Sequence, residues 1–547
     1  MNRVIFSLIT VIILLQSCTK DAKYASLEKP KIVIGIVVDQ MRYDYLTKYR
    51  ERFSEGGFMR LLNEGFSLSN AHFNHVPTYT AVGHTSIYTG TTPDHHGIIG
   101  NGWYDKYAKN DIYCVSDTAF ASVGIEGNQG RRSPFRMITT TVTDQLHLGQ
   151  NMRGKTIGIA IKDRSAILPA GHTANGAYWY VGKEENKWIT SSYYMHHLPK
   201  WVQDFNMNNR ADEYLSKPWT PLYDIATYTQ SIADHNPYEG KFKGEEAPVF
   251  PHDLPALREK NKNYDLIKGT PFGNSLTFDF AKAAILGEQL GKTASTDFLA
   301  ISFSSTDYVG HQFGPDAVEV EDMYLRFDLE MANFLHFLDL EIGKGNYTIF
   351  LTADHGVVQV PAYLKSVKIP AQYFDSRKFD AFLKNITAKK FGSKDIIEHS
   401  SNYQIFLNKE EIQRRGLDED EVTAYLVQQC ISFDGIYKAV SARTLQTTNF
   451  TEGVLAKLQN GYNQKYSGDV LLIPTPGSIS MRDTGTTHGS GYSYDTHVPV
   501  IFYGKGIKKG TSSALYGIRD IAPTIAKLLQ IEFPDGTTGE IINEVLE

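Results

Sequence analysis

The chain has 547 residues, of which 41% are hydrophobic and 21% charged, and it carries a net charge of −6. That length exceeds one small domain and can bury a large core. The balance excludes a polytopic membrane protein, a collagen-like chain and a wholly disordered one, and there is no excess of positive charge to displace counterions from nucleic-acid phosphates.

The first element is a targeting segment. Met1-Asn2-Arg3 is a short basic start, and Val4 to Leu15 is almost wholly apolar. Twelve residues of helix cover ~18 Å, short of the ~30 Å hydrocarbon core, so the run reads as a signal-peptide core. It ends Leu15-Gln16-Ser17-Cys18, which resembles a bacterial lipobox whose cysteine is lipidated. A plain secretory signal is the alternative. Residues 1–18 are thus read as a lipoprotein-type signal and 19–30 as a polar tether, leaving 31–547 for the folded domain. The mature protein is expected outside the cytoplasm, in the periplasm or cell envelope, touching the membrane only through Cys18. The other two cysteines, Cys114 and Cys430, would meet an oxidising compartment; whether they pair stays open.

Apolar runs of strand length follow at Lys31–Val38, Thr156–Ile161, Phe298–Ser304 and Tyr347–Thr352. Such runs suit strands buried on both faces of a parallel sheet. A last run, Val498–Tyr503, contains Pro499 and is predicted nearer an edge. Between them, Phe327, Met331, Phe334 and Leu338 recur at helical spacing and predict a helix over Asp322–Asp339. Asp520 is placed to cap a helix running Ile521 to Leu529, with Pro523 in its first turn. Alternating strands and helices predict an α/β fold with a mostly parallel sheet flanked by helices. Two stretches break the alternation, roughly 178–260, with four of the five tryptophans, and roughly 363–477. Both are predicted to be insertions forming a cap, their aromatic residues serving mainly as core.

In open α/β sheets, ligands bind beyond the carboxyl ends of the strands. Those ends are rich in ionisable residues: Asp39 after the first, Lys162-Asp163-Arg164 after the second, Asp307 and His311 after the third, and Asp354-His355-Gly356 after the fourth. His488 lies in the glycine-bounded turn Gly485–Gly489. Three carboxylates and three imidazoles suit a two-metal site, because zinc accepts both donor types and a metal pair can clamp the attacking and leaving oxygens of an in-line displacement. His72, His75, His84, His95, His96 and His172 read instead as core or surface histidines.

The set Val37–Arg42, Val76–Ala81, Gly83–Ser86, Ile161–Arg164, Ser305–His311, Ala353–Gly356 and Thr486–His488 resembles the alkaline phosphatase superfamily, and within it the PafA-type alkaline phosphatases. The resemblance spans essentially the mature chain. It implies an alkaline-phosphatase-like fold and two Zn²⁺ per chain, with Asp307, His311 and His488 on one and Asp39, Asp354 and His355 on the other, the latter shared with a nucleophile. That nucleophile would be Thr80, with Thr78 as the alternative, working through a phosphothreonine. Asn101, Lys162 and Arg164 would hold the phosphoryl oxygens. The Cys/Ser-x-Pro-x-Arg motif of sulfatases is missing at this position. The expected substrates are small-molecule phosphate monoesters, releasing inorganic phosphate, and a monomer is expected. A nucleotide phosphodiesterase or pyrophosphatase of the same superfamily is the alternative enzyme; a catalytically dead, lipid-anchored binding protein is the alternative from another class.

Overall fold

The computed structural model describes residues 28–480, 482 and 484–547; the signal, Cys18 and most of the tether lie outside them. A ten-stranded sheet organises the chain. Its strands in chain order are β1 (Ile32–Val38), β2 (Phe66–Leu68), β3 (Ser122–Val123), β4 (Thr156–Ala160), β5 (Gly176–Val181), β6 (Lys187–Ser191), β7 (Asp297–Phe303), β8 (Tyr347–Thr352), β9 (Val500–Gly504) and β10 (Gly510–Ser512). Their order across the sheet is β10-β2-β9-β8-β1-β7-β4-β5-β6-β3. The central five, β8-β1-β7-β4-β5, are parallel. Antiparallel partners flank them on both sides. Every residue of β1, β4, β7 and β8 is buried, as continuous apolar runs in a doubly covered sheet require.

Five helices position or border the strand ends: α1 (Thr80–Thr89), α2 (Asp163–Ala170), α3 (Ser305–Phe313), α4 (Val318–Leu338) and α5 (Ile521–Leu529). All of α1 is buried. It lies so close to the end of β8 that a Cβ on Gly83 would stand 2.0 Å from the Asp354 carbonyl oxygen. Glycine there is what lets α1 reach the strand ends.

Several expectations need correction. The run at 498–503 is an interior strand. β9 begins after Pro499, pairs antiparallel with β8, and is covered on its other side by β2, so the proline costs no ladder bond. Helix α4 starts one turn earlier than its apolar period indicates, because its first turns bury charged residues. Glu319 lies 3.3 Å from His252, Glu321 2.7 Å from Arg52, and Asp322 accepts from the Trp219 indole at 2.7 Å. Asp520 precedes α5 as expected, yet its carboxylate does not cap that helix; it accepts from the Gly517 and Glu540 amides.

The stretch 178–260 begins inside the sheet, since residues 178–181 and 187–191 are in strands β5 and β6. Trp179, Trp188 and Trp219 are buried. Within 363–477, strands Ile397–Ser401, Gln404–Leu407, Ile436–Ser441 and Val470–Pro474 form a separate four-stranded sheet with its own core. Among the described residues, Cys114 and Cys430 form no disulfide; they are buried in two different cores. Burial pushes both up to about 12, which makes them inert packing groups.

Candidate active site

The ends of β1, β7 and β8 and the loop at Gly485–Gly489 bring six of the sequence-singled residues together. Asp39 follows β1, and its backbone N–H donates to the Phe303 carbonyl at 3.1 Å. Asp307 and His311 sit one turn apart on α3, with His311 Nε2 3.1 Å from Asp307 Oδ1. His488 Nε2 is 3.6 Å from the same Asp307 oxygen. His355 Nε2 lies 3.5 Å from Asp39 Oδ1 and 3.4 Å from Asp354 Oδ2. The His355 and His488 rings stack with centroids 3.4 Å apart. Two ligand groupings result, Asp307-His311-His488 and Asp39-Asp307-His355, with Asp307 common to both. Asp354, expected beside Asp39 and His355 on the second metal, belongs to neither grouping, although its Oδ2 stands 3.4 Å from His355 Nε2; Asp307 takes its place in the second.

The orientation of the imidazoles tests whether the site fits metals. Each ring directs Nδ1 at a backbone carbonyl: His311 at Thr486 (2.8 Å), His488 at Thr78 (2.7 Å) and His355 at Gly356 (3.0 Å). A carbonyl only accepts, so Nδ1 carries the proton and the Nε2 lone pair faces the carboxylates. This is the tautomer a metal-binding histidine needs. Among the described residues, Asp39 Oδ1, Asp354 Oδ2 and His355 Nε2 are all buried without a hydrogen-bond partner. Buried polar atoms rarely stay so, and three converging acceptors suit a cation.

Electrostatics agree. Burial, reinforced by the neighbouring Asp354, holds the Asp39 carboxyl well above the ordinary range. Burial lifts Asp354 to about 7, and Lys162 opposes that rise. Asp307 behaves oppositely: burial would raise it, but the His311 ring and the Lys162 ammonium drive it well below its ordinary value. Burial lowers His488 to about 3 and His355 well below its usual value, so both rings stay in the neutral, ligating form.

Thr80 opens α1, buried, with its hydroxyl 3.5 Å from Lys162 Nζ. Lys162 Nζ donates to Asp39 Oδ2 at 2.7 Å and Asp307 Oδ2 at 2.6 Å, spanning both groupings. Asn101 Oδ1 accepts from the Ala81 amide at 2.8 Å. That bond assigns the accepting end of the amide as its oxygen, which leaves the NH₂ end as a donor. Arg164, in the first turn of α2, gives Nη1 to the Tyr113 hydroxyl at 3.2 Å, and its Nε is buried with no partner among the described residues. The Thr78 hydroxyl, by contrast, is committed to the Ser490 carbonyl at 2.9 Å.

Three residues enter the site to which the sequence reading gave no role there. His84, set aside as a core histidine, lies one turn beyond Thr80. Its Nδ1 is 2.8 Å from the Thr80 carbonyl and 3.3 Å from Asp354 Oδ2, and its Nε2 is 2.8 Å from Ser302 Oγ. The four-residue spacing from Thr80 was the available signal. Gln40, at φ 67°, donates to Asp307 Oδ1 at 2.6 Å. Gly310 leaves room for it, since a Cβ there would lie 2.0 Å from Gln40 Oε1. Tyr113 joins Arg164 to Asp163 through its hydroxyl, and nothing in the sequence marks it.

A parallel-sheet fold with carboxylates, imidazoles and a helix-opening threonine at its strand ends defines the class, the alkaline phosphatase superfamily. Within it, the chain belongs to the type I phosphodiesterase / nucleotide pyrophosphatase family, whose model matches residues 33–498. It is 49% identical over 95% of both chains to a protein of Myroides odoratus named calcium-transporting ATPase. It is 44% identical to alkaline phosphatase PhoV of Synechococcus elongatus, over 95% of this chain and 93% of that one. Alkaline phosphatase PafA of Elizabethkingia meningoseptica is also 44% identical, over 96% of both. A crystal structure of wild-type PafA superposes with a TM-score of 0.92 at 43% identity, covering 95% of this chain and 99% of that one.

Proposed function

We propose that the chain is an exported phosphomonoesterase of the alkaline phosphatase type that uses two zinc ions and a phosphothreonine intermediate. The observation that carries this reading is the placement of Thr80, whose hydroxyl opens a buried helix within 3.5 Å of a lysine that touches both ligand groupings. Asp307, His311 and His488 would hold one zinc, and Asp39, Asp354 and His355 the other. When bound, the pair supplies Lewis acidity that favours deprotonated oxygen nucleophiles and offsets charge on the reacting oxygens.

The chain's own residues do the rest. The Lys162 ammonium favours the alkoxide form of Thr80. Thr80 Oγ1 forms a bond to phosphorus as the ester oxygen departs with its electron pair and takes up a proton. The Asn101 NH₂, with Lys162 and Arg164, donates to the phosphoryl oxygens, and the N-terminus of α1 favours their negative charge. Water then takes the phosphoryl group from Thr80 and regenerates the hydroxyl.

Lys162 and Arg164 separate this reading from a phosphodiesterase, which the family description also names. A monoester dianion presents a charged oxygen where a diester carries a substituent, and a cation there gains a charge-assisted bond only with the monoester. Alanine at Lys162 or Arg164 should lower kcat/KM for an aryl phosphate monoester by about 100-fold, and for the matching diester much less. Equal losses on both would favour the phosphodiesterase.

Export and anchoring rest on residues 1–18. No described helix is long and apolar enough to cross a membrane. Cys18→Ser should move the protein from the membrane fraction to the soluble one in a host that lipidates exported proteins. Unchanged fractionation would instead point to an ordinary cleaved signal.

A further inference from the structure

Two adjoining cavities run away from the phosphoryl-binding side of the site. One, of about 220 Å³, is walled by Lys162 and Arg164 together with Arg132 and Lys183. The other, of about 420 Å³, is walled by Lys243, Lys260 and Lys262. Both include Lys268, Asp265 and Tyr308, so they form one groove. Tyr308 is the hinge point, its ring centroid 5.3 Å from Lys162 Nζ. Helix α3 links groove and site directly. Asp307 and His311 face the reacting centre, while Tyr308 and Gln312, one residue on from each, line the groove.

The charge of this groove opposes that of the protein. Its walls carry eight lysine and arginine residues and two carboxylates, in a chain of net charge −6. Both carboxylates are already committed: Asp163 to Arg132 at 2.7 Å, and Asp265 to Lys268 at 2.6 Å. Among the described residues, Arg164, Lys183, Lys243, Lys260 and Lys262 make no ion pair. Acids adjoin these lysines in the chain, at Glu184, Glu185, Glu245, Glu246 and Glu259, but none of them lines the groove, and a predominantly basic track ending at a phosphoryl site concentrates anions there. Backbone geometry displays it. Lys183 and Lys262 both hold left-handed φ values, of 48° and 63°, and the Lys183 and Asn263 backbones meet in a β-bridge.

We propose that this groove binds the leaving group of esters that carry at least one phosphate beyond the one removed. The proposal rests on the phosphomonoesterase reading and extends it to a substrate class, the polyphosphorylated small molecules. Hydrolysis breaks only the ester bond of the phosphate at Thr80. The departing oxygen keeps the bonding pair and gains a proton, and the second phosphate leaves on the product along the lysine track.

The test uses the metal-loaded enzyme with 1,6-hexanediol monophosphate and 1,6-hexanediol bisphosphate, which differ only in the second phosphate. The wild type should favour the bisphosphate in kcat/KM by about tenfold, above the factor of about two expected from its two equivalent ends. The preference should shrink as NaCl screens the groove over a Debye length of ~8–10 Å. The triple variant Lys243→Gln, Lys260→Gln, Lys262→Gln should bring the ratio to about two, mostly through KM, each lysine being worth about a twofold change at such exposed positions. The triple Lys→Arg variant should keep the wild-type ratio. A wild-type ratio of about two, an unchanged ratio in the glutamine variant, or equal losses on both substrates would overturn the proposal. If neither compound is hydrolysed, the phosphomonoesterase reading fails, and this extension with it.

Discussion

Replacing Thr80 by alanine should lower kcat/KM for an aryl phosphate by ~10³-fold or more, the scale expected when the nucleophile of a concerted set is removed. Thr80→Ser should retain a substantial part of the activity, because the hydroxyl survives at the same helix start. Thr78→Ala should cost far less. The Thr78 hydroxyl is already spent on the Ser490 carbonyl, and the Thr78 feature that the site uses is its backbone carbonyl, which orients His488. Steady-state kinetics on the three variants check this. Comparable losses for the two alanine variants would remove Thr80 from the nucleophile's role.

Loss of metal should be equally damaging. Exhaustive chelation should take turnover down by ~10³-fold or more, and zinc should restore it. Asp307→Asn should be the most harmful single ligand change, since Asp307 alone belongs to both groupings and also anchors Lys162 and Gln40. Asp39, Asp307 and Asp354 are all buried at one place, and the buried cation beside them is Lys162. Uncompensated buried charge is costly, and metal bound only by the folded state stabilises it. The chelated protein should therefore also melt at a lower temperature. Elemental analysis paired with activity, and a thermal melt of the same samples, measure both effects; full turnover in metal-free protein would contradict the two-metal reading.

Much of the fold and site was legible because buried parallel strands announce themselves. The runs at 31–38 and 347–352 are continuous apolar stretches, and chemistry in such folds gathers where strands stop. Asp39, Asp307, Asp354 and His355 could thus be placed from their neighbours in the chain. Polar residues that fold inward were harder. The first turns of α4 hide Glu319, Glu321 and Asp322 behind His252, Arg52 and Trp219, so hydrophobic spacing starts the helix late. Asp520 has the composition of a cap, but tertiary amides at Gly517 and Glu540 claim its carboxylate. His84, Gln40 and Tyr113 act through neighbours far along the chain, at Asp354, Asp307 and Arg164. Apart from the four-residue spacing of His84 from Thr80, no local pattern encodes partners at such separation. The lysine groove escaped for the same reason, since Lys183, Lys243 and Lys260–Lys262 become one surface only when the chain folds back on itself.

The central claim, covalent phosphoryl transfer through Thr80, is tested most directly by quenching the metal-loaded enzyme in acid during turnover of a phosphate monoester and mapping the phosphopeptide by mass spectrometry. One phosphate is expected, on Thr80, absent from the Thr80→Ala protein. Phosphate on Thr78, or rapid turnover with no phosphopeptide at any quench time or pH, would contradict it.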